Sequence, residues 1–277
     1  MGLLTRLVAR LPLRALHAFG ALLGWIMYLG SARYRRHFVD NLATAGYAQD
    51  AAIRRRAIAE AGRMVVELPA IWLRPRAEVL GWVRDIRGLE LIDAALAAGK
   101  AIVFLTPHHG CFEIMAQVAG DRFPITVLYR PPKLAFLRPM IESGRGQHNV
   151  RLAAADIGGV RELIGALRRG ETVGILPDQV PGEGEGAWAD FFGRPAYTMT
   201  LAMKLAARPD VVPLLAFGRR LARGSGFEIT VRELPTAIAG EAPERRLNRA
   251  IEALVRECPE QYLWGYNRYK RPRVARG

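Results

Sequence analysis

Residues 101–105, Ala-Ile-Val-Phe-Leu, form an unbroken apolar run introduced by Gly99-Lys100 and closed by Pro107. A short run with no polar alternation suits a strand covered on both faces, the environment of a parallel sheet between helical layers. Similar runs recur at 125–128, 150–153, 172–176, 211–216 and 227–232, and segments of helical pattern stand between or beside them at 89–98, 134–143, 158–169, 197–208 and 243–257. Strands alternating with helices predict an α/β fold, a mostly parallel central sheet flanked by helices. Residues 35–74 read as helix, with Val65, Val66, Leu68 and Ile71 on an apolar pattern and few breakers before Pro75, and are expected to cap the sheet. The chain shows no internal repeat or low-complexity linker. At 277 residues and 51% hydrophobic content it is expected to build one sizeable core with an appendage.

In open α/β sheets reacting groups collect at the carboxyl ends of strands. Directly after the first run stands Thr106-Pro107-His108-His109-Gly110-Cys111-Phe112-Glu113. On a continuous helix, positions five apart diverge by roughly 140°. His108 therefore belongs in the turn, and Glu113 in the first turn of a helix over 111–118. There Glu113 can hold the imidazole in one tautomer while the other ring nitrogen takes a proton from a substrate hydroxyl, an orienter-and-base arrangement suited to acyl transfer. Backbone amides near Gly110 would offer an anion site for the oxyanion. The plainer alternative is a capping histidine and a glutamate that meets the helix dipole.

Other chemistries are less well supplied. Serine occurs only at positions 31, 143 and 225, none in a Gly-x-Ser-x-Gly elbow. Cys111 invites a Cys-His nucleophile reading, and His108, His109, Cys111, Glu113 and His148 include possible metal ligands, but their crowded spacing matches no zinc signature. Gly182-Glu183-Gly184-Glu185-Gly186 fits neither a dinucleotide fingerprint nor a Walker loop and reads as a turn or as a lid beside the site. No redox, nucleotide or metal cofactor is implied.

The wider pattern resembles the bacterial late acyltransferases of lipid A biosynthesis. Their His-x-x-x-x-Asp/Glu motif matches His108 to Glu113. It is followed in the same order by Tyr129-Arg130-Pro131, by Gly144-Arg145-Gly146-Gln147-His148-Asn149, by Pro177-Asp178-Gln179, by Phe191-Phe192-Gly193-Arg194-Pro195-Ala196 and by Pro259-Glu260-Gln261-Tyr262-Leu263-Trp264. The six matches span roughly residues 20 to 272. One departure is Tyr266-Asn267-Arg268-Tyr269-Lys270, where the family often has His-Arg-Arg before an aromatic and a lysine. The resemblance implies a glycerolipid acyltransferase-like fold that moves a fatty acyl chain from an acyl carrier protein thioester to a hydroxyl of a phosphorylated glycolipid, the lipid A precursor. His108 and Glu113 are then the catalytic pair, with no covalent acyl-enzyme, and Arg145, Asp178 and Arg130 are substrate-binding. A surface arginine at a helix end and a turn aspartate are the plainer readings of Arg145 and Asp178. Phe191-Phe192 is read either as a wall of the acyl channel or as core. Another lipid acceptor for the same chemistry, such as a phosphatidylinositol mannoside, an ornithine lipid or a lysophospholipid, stays open, as does a noncatalytic lipid-binding protein on the same scaffold.

The formal charge is +14, and Lys occurs only at positions 100, 133, 204 and 270, so 36 of the 40 basic residues are Arg. Such a surface suits an anionic membrane face or an acidic protein such as acyl carrier protein. Nucleic acid is not expected as a partner, because no zinc-finger spacing, basic-helix heptad or interleaved aromatic RNA motif is present. Two cysteines far apart, Cys111 and Cys258, point to a reducing compartment. Residues 15–32 carry no charge and would extend about 27 Å as a helix, marginal for a hydrocarbon core of about 30 Å. Arg6, Arg10 and Arg14 precede the stretch and Arg33, Arg35 and Arg36 follow it, so the positive-inside rule gives no orientation. A buried core helix is the alternative. The expected organisation is a membrane-anchoring helix in 1–34 and an acyltransferase domain in 35–277, at the bacterial inner membrane with the catalytic domain on the cytoplasmic side.

Overall fold

Alternate residues of the first apolar run face opposite ways: Ala101, Val103 and Leu105 enter one hydrophobic cluster, Ile102 and Phe104 another. Both faces of this strand are therefore covered, as its composition predicts. The computed structural model describes residues 7–131, 138–146 and 148–272. Helices α1 (Leu13–Gly30), α2 (Ala32–Thr44), α3 (Ala51–Leu73) and α4 (Arg76–Leu80) come first. Then follow β1 (Val83–Arg87), α5 (Leu89–Ala97), β2 (Ala101–Leu105), α6 (Phe112–Arg122), β3 (Ile125–Tyr129), α7 (Arg138–Arg145), β4 (Val150–Ala154), α8 (Ile157–Arg168) and β5 (Thr172–Ile175). The chain continues through β6 (Gly186–Phe191), β7 (Arg194–Met199), α9 (Leu201–Ala206), β8 (Val211–Arg220), β9 (Phe227–Glu233) and α10 (Pro243–Glu257).

The seven-stranded sheet runs β1-β9-β8-β2-β5-β3-β4. Every neighbouring pair is parallel except β8 with β9. The predicted α/β class and mostly parallel sheet are thus found. Side-chain caps start three helices where the sequence supplies them: Ser31 accepts from the Tyr34 amide, Asp50 from Ile53 and Asp156 from Gly159.

Several boundaries differ from expectation. The segment 35–74 is two helices separated by a turn at 45–50, where Gly46 has φ 91°. Residues 197–208 are not one helix: Arg194–Met199 pairs with Gly186–Phe191 as an antiparallel hairpin, and only Leu201–Ala206 is helical. The hairpin closes through Phe192 and Gly193, both at positive φ (50° and 73°), the geometry a two-residue turn demands. The expected helix 134–143 lies partly outside the described residues, and its described part begins at Arg138.

Helix α1 packs antiparallel on α3 through glycine. A Cβ on Gly24 would sit 2.0 Å from the Ile58 carbonyl oxygen, and one on Gly62 would sit 1.9 Å from that of Gly20. The backbones can approach this closely only because those three positions lack side chains. A buried ionic cluster joins the same helices to the sheet. Arg220 of β8 donates to both oxygens of Glu67 at 2.5 and 2.6 Å and to Glu60 at 2.5 Å, while His17 Nε2 lies 2.7 Å from Glu67. Burial pushes the Glu67 carboxyl up, but Arg220 and His17 outweigh it and hold the pKa at about 2. α1 is consequently tied along one face to the body of the protein.

Candidate active site

The turn after β2 carries the site. Gly110 has φ 60°, and a Cβ there would lie 2.1 Å from the Gly218 carbonyl oxygen, so only glycine lets this turn lie against β8. The Cys111 amide donates to that oxygen at 2.7 Å and the Gly110 amide to the Gln261 carbonyl at 3.0 Å. Those two amides are therefore engaged by the protein itself and are not available to an oxyanion. The turn aims His108 toward the end of the neighbouring strand β5, where Pro177-Asp178-Gln179 follows.

His108 Nδ1 lies 2.7 Å from Asp178 Oδ1, and its backbone N–H donates to Asp178 Oδ2 at 2.9 Å. Asp178 is 3% exposed. Burial works to raise its pKa, but the adjacent imidazole and these hydrogen bonds outweigh burial and hold the carboxyl below its ordinary value. An ionised carboxylate only accepts, so Nδ1 carries the proton and the lone pair of the neutral ring is on Nε2. Gln179 Nε2 lies 3.1 Å from that atom and, being an amide donor, covers it. The buried Tyr262 hydroxyl also bonds Asp178, and its pKa is raised well above the usual value, first by burial and then by the carboxylate's charge.

Glu113 does not hold the imidazole: the partner of Nδ1 is Asp178. Both carboxylate oxygens of Glu113 instead accept from Arg145, through Nε and Nη2 at 2.6 Å each, and Oε1 also accepts from Trp72 Nε1 at 2.7 Å. The Arg145 guanidinium lies 5.2 Å over the Trp72 ring. This is a bidentate, aromatic-backed pair in the first turn of α6, where the helix dipole favours a carboxylate. The sequence spacing places His108 and Glu113 beside one cavity but does not make them partners.

That cavity, about 290 Å³, is lined at one end by His108, Glu113, Arg130, Arg145 and Gln179. It continues as an apolar slot between α5, α6 and the sheet, walled by residues such as Leu89, Phe104, Ala116, Phe123 and Ile229. Arg130 is exposed at its rim. Three of the alternative readings fall away, in favour of the plainer ones. Phe191 is core and Phe192 packs on Trp264, neither in the cavity wall. Cys111 is buried and burial pushes its thiol well above the usual range, which removes it as a nucleophile. The loop at 182–186 is pinned, with the Gly184 and Gly186 amides donating to the Tyr197 hydroxyl at 3.1 Å. His109 is likewise a core residue, its pKa lowered to about 3 by burial, its Nε2 lying 3.5 Å from Cys258 Sγ. Arg268, in the segment that departs from the family pattern, is buried and donates to the Tyr197 carbonyl at 2.8 Å and to Thr198 Oγ1 at 2.7 Å, anchoring the chain's end to the hairpin.

Gln179, Tyr262 and Trp72 were not singled out as site residues by sequence reasoning. Gln179 and Tyr262 lie inside matched motifs, which was a usable signal; Trp72 had none.

The chain matches the bacterial lipid A biosynthesis acyltransferase family over residues 2–271. It is 26% identical over 212 residues to the lipid A biosynthesis palmitoleoyltransferase of Escherichia coli K12, covering 76% of this chain and 68% of that protein. With the lauroyltransferase of the same strain it shares 24% identity over 272 residues, 95% of this chain and 88% of the relative. A lipid A biosynthesis acyltransferase of Haemophilus influenzae is 28% identical over 181 residues, 64% and 56% of the two chains. The match covers the motif turn, the arginine segment, the aspartate element and the C-terminal aromatic segment together, and the chain belongs to the bacterial lipid A biosynthesis acyltransferase family.

Proposed function

We propose that the protein transfers a fatty acyl chain from an acyl carrier protein thioester to a hydroxyl of a phosphorylated lipid A precursor, with His108 as general base. The observation that carries this reading is the 2.7 Å contact of His108 Nδ1 with the buried Asp178, which leaves the Nε2 lone pair at the mouth of an apolar slot. The acceptor hydroxyl displaces the Gln179 amide from Nε2, gives its proton to that nitrogen and attacks the thioester carbonyl. The tetrahedral oxyanion collapses, the thiolate leaves, and it takes the proton back from the imidazolium. Asp178 supports that imidazolium and fixes the tautomer. No covalent acyl-enzyme is required, since the thioester is already activated.

The acyl chain occupies the slot, whose walls are mainly aliphatic and aromatic. Glu113 acts through Arg145, holding the guanidinium in one orientation at the rim, where with Arg130 it meets a lipid phosphate or the oxyanion. The charge of +14 steers the acidic carrier protein to a cytoplasmic-facing domain at the inner membrane. The test is a purified assay with labelled acyl-carrier-protein thioester and a phosphorylated lipid A precursor. Acylated glycolipid is expected from the parent, and His108→Ala is expected to lower turnover by about 10²- to 10⁴-fold with acceptor binding retained. Near-normal turnover by His108→Ala would end the assignment.

A further inference from the structure

Four of the nine large hydrophobic side chains exposed among the described residues lie on α1: Phe19, Leu22, Ile26 and Leu29, exposed by 42%, 59%, 58% and 65%. Their spacing of three, four and three puts them in one stripe on the helix. The opposite stripe, Leu13, Leu16, His17, Gly20 and Gly24, is buried on the body of the protein. A contiguous apolar stripe of this kind marks a contact surface, unlike single exposed apolar residues, which are ordinary. Exposed arginines stand at both ends of it, Arg10 and Arg14 before and Arg33 and Arg36 after. An apolar stripe framed by cations complements the interface of an anionic bilayer.

We infer that α1 lies flat in the surface of an anionic membrane, its Phe19–Leu22–Ile26–Leu29 stripe among the acyl chains, and does not cross the bilayer. An upright α1 would carry its partner with it. α3 runs antiparallel along α1, held by the glycine contacts and the 2.7 Å His17–Glu67 contact, and it presents exposed Arg55 and Arg56. Standing α1 across the membrane would leave Arg55 and Arg56 beside its last turn but would carry the half-buried Arg63, whose backbone lies against Gly20 at the middle of α1, to the depth of the bilayer centre. Pulling α1 away from α3 would instead strip His17 from the Glu67–Arg220 cluster and open the glycine seam. Lying flat avoids both. The N-terminal end of α1 is also tied close to the site. Arg74 at the end of α3 donates to the Ala9 carbonyl at 2.6 Å and the Leu11 carbonyl at 2.5 Å, fixing the segment before α1 two residues from Trp72, which bonds Glu113.

The test uses the full chain with single cysteines introduced at Ala15, Leu22 and Leu29, all exposed, and spin-labelled while the buried Cys111 and Cys258 stay unmodified. Bound to vesicles of phosphatidylethanolamine with one third phosphatidylglycerol, the three labels should report nearly the same shallow depth. A crossing helix would spread positions 15 and 29 over about 21 Å of depth with position 22 near the centre, and that result would overturn the inference. A second arm compares parent and Leu22→Glu/Ile26→Glu protein in partitioning to the same vesicles and to neutral ones. At least tenfold weaker partitioning of the double variant is expected, with a preference of the parent for anionic vesicles and unchanged activity on detergent-dispersed acceptor. Unchanged partitioning, or labels that stay in water because the stripe contacts a protein or a second copy, would overturn it too. Vesicle binding is read without turnover, so its failure is separate from failure of the acyl-transfer reading.

Discussion

Asp178 can only accept hydrogen bonds, and that property decides which nitrogen of His108 is basic. The motif turn was readable from sequence because an apolar strand runs straight into it, and strand ends are where reactive groups gather. The pairings were not. Spacing suggested that His108 and Glu113 serve each other, whereas the imidazole's partner lies 70 residues away and the glutamate's 32. Those partners are set by β5 lying beside β2 and by α7 packing over the end of α3, facts of tertiary structure that no local spacing encodes. Arg145→Lys keeps the charge but cannot reproduce two parallel bonds to Glu113, so catalytic efficiency on a phosphorylated acceptor should fall about tenfold or more. The loss should be smaller on the dephosphorylated acceptor; equal losses in steady-state kinetics would assign Arg145 to the oxyanion or to structure alone.

Elements with strong local patterns matched their expected positions closely: 243–257 is helical as read, and the strand expected at 172–176 spans Thr172–Ile175. The hairpin of β6 and β7 escaped because its turn uses Phe192 at positive φ, a position at which sequence rules expect Asn or Gly. The α1–α3 seam also escaped, since isolated glycines in helical patterns read as weak points and here they are contact points. Gly62→Ala should therefore destabilise the protein by about 1–3 kcal/mol, because its Cβ has no room beside the Gly20 carbonyl. Gly30→Ala, with nothing within 4 Å of the new methyl, is the matched control and should be neutral or slightly stabilising. Denaturant melts of the two variants check this; equal stability would show that the seam relaxes freely.

On the scale of the whole molecule, burial sets the acid limb of stability. His109 has its pKa lowered from 6.5 to about 3, first by burial, so the unfolded chain binds this proton before the folded one does. Stability from this group is complete above about 6.5 and is lost as pH falls toward 3. Glu67, held at about 2 against an ordinary 4.5, adds a second loss only below that ordinary value. His109→Phe should then flatten the fall in unfolding free energy between pH 6.5 and 5, measured by denaturant melts at stepped pH. An unchanged slope would mean that the ring is protonated in the fold.

In the proposed mechanism His108 and Asp178 act as one unit while Glu113 acts through Arg145. A double-mutant cycle on catalytic efficiency, with His108→Ala, Asp178→Asn and Glu113→Gln alone and combined, measures this coupling directly. Asp178→Asn should cost about 10²-fold or more in the parent and almost nothing once His108 is alanine, whereas Glu113→Gln should cost the same factor in both backgrounds. The opposite pattern, with Glu113→Gln silent and Asp178→Asn fully felt in the His108→Ala protein, would make Glu113, and not Asp178, the partner of the imidazole.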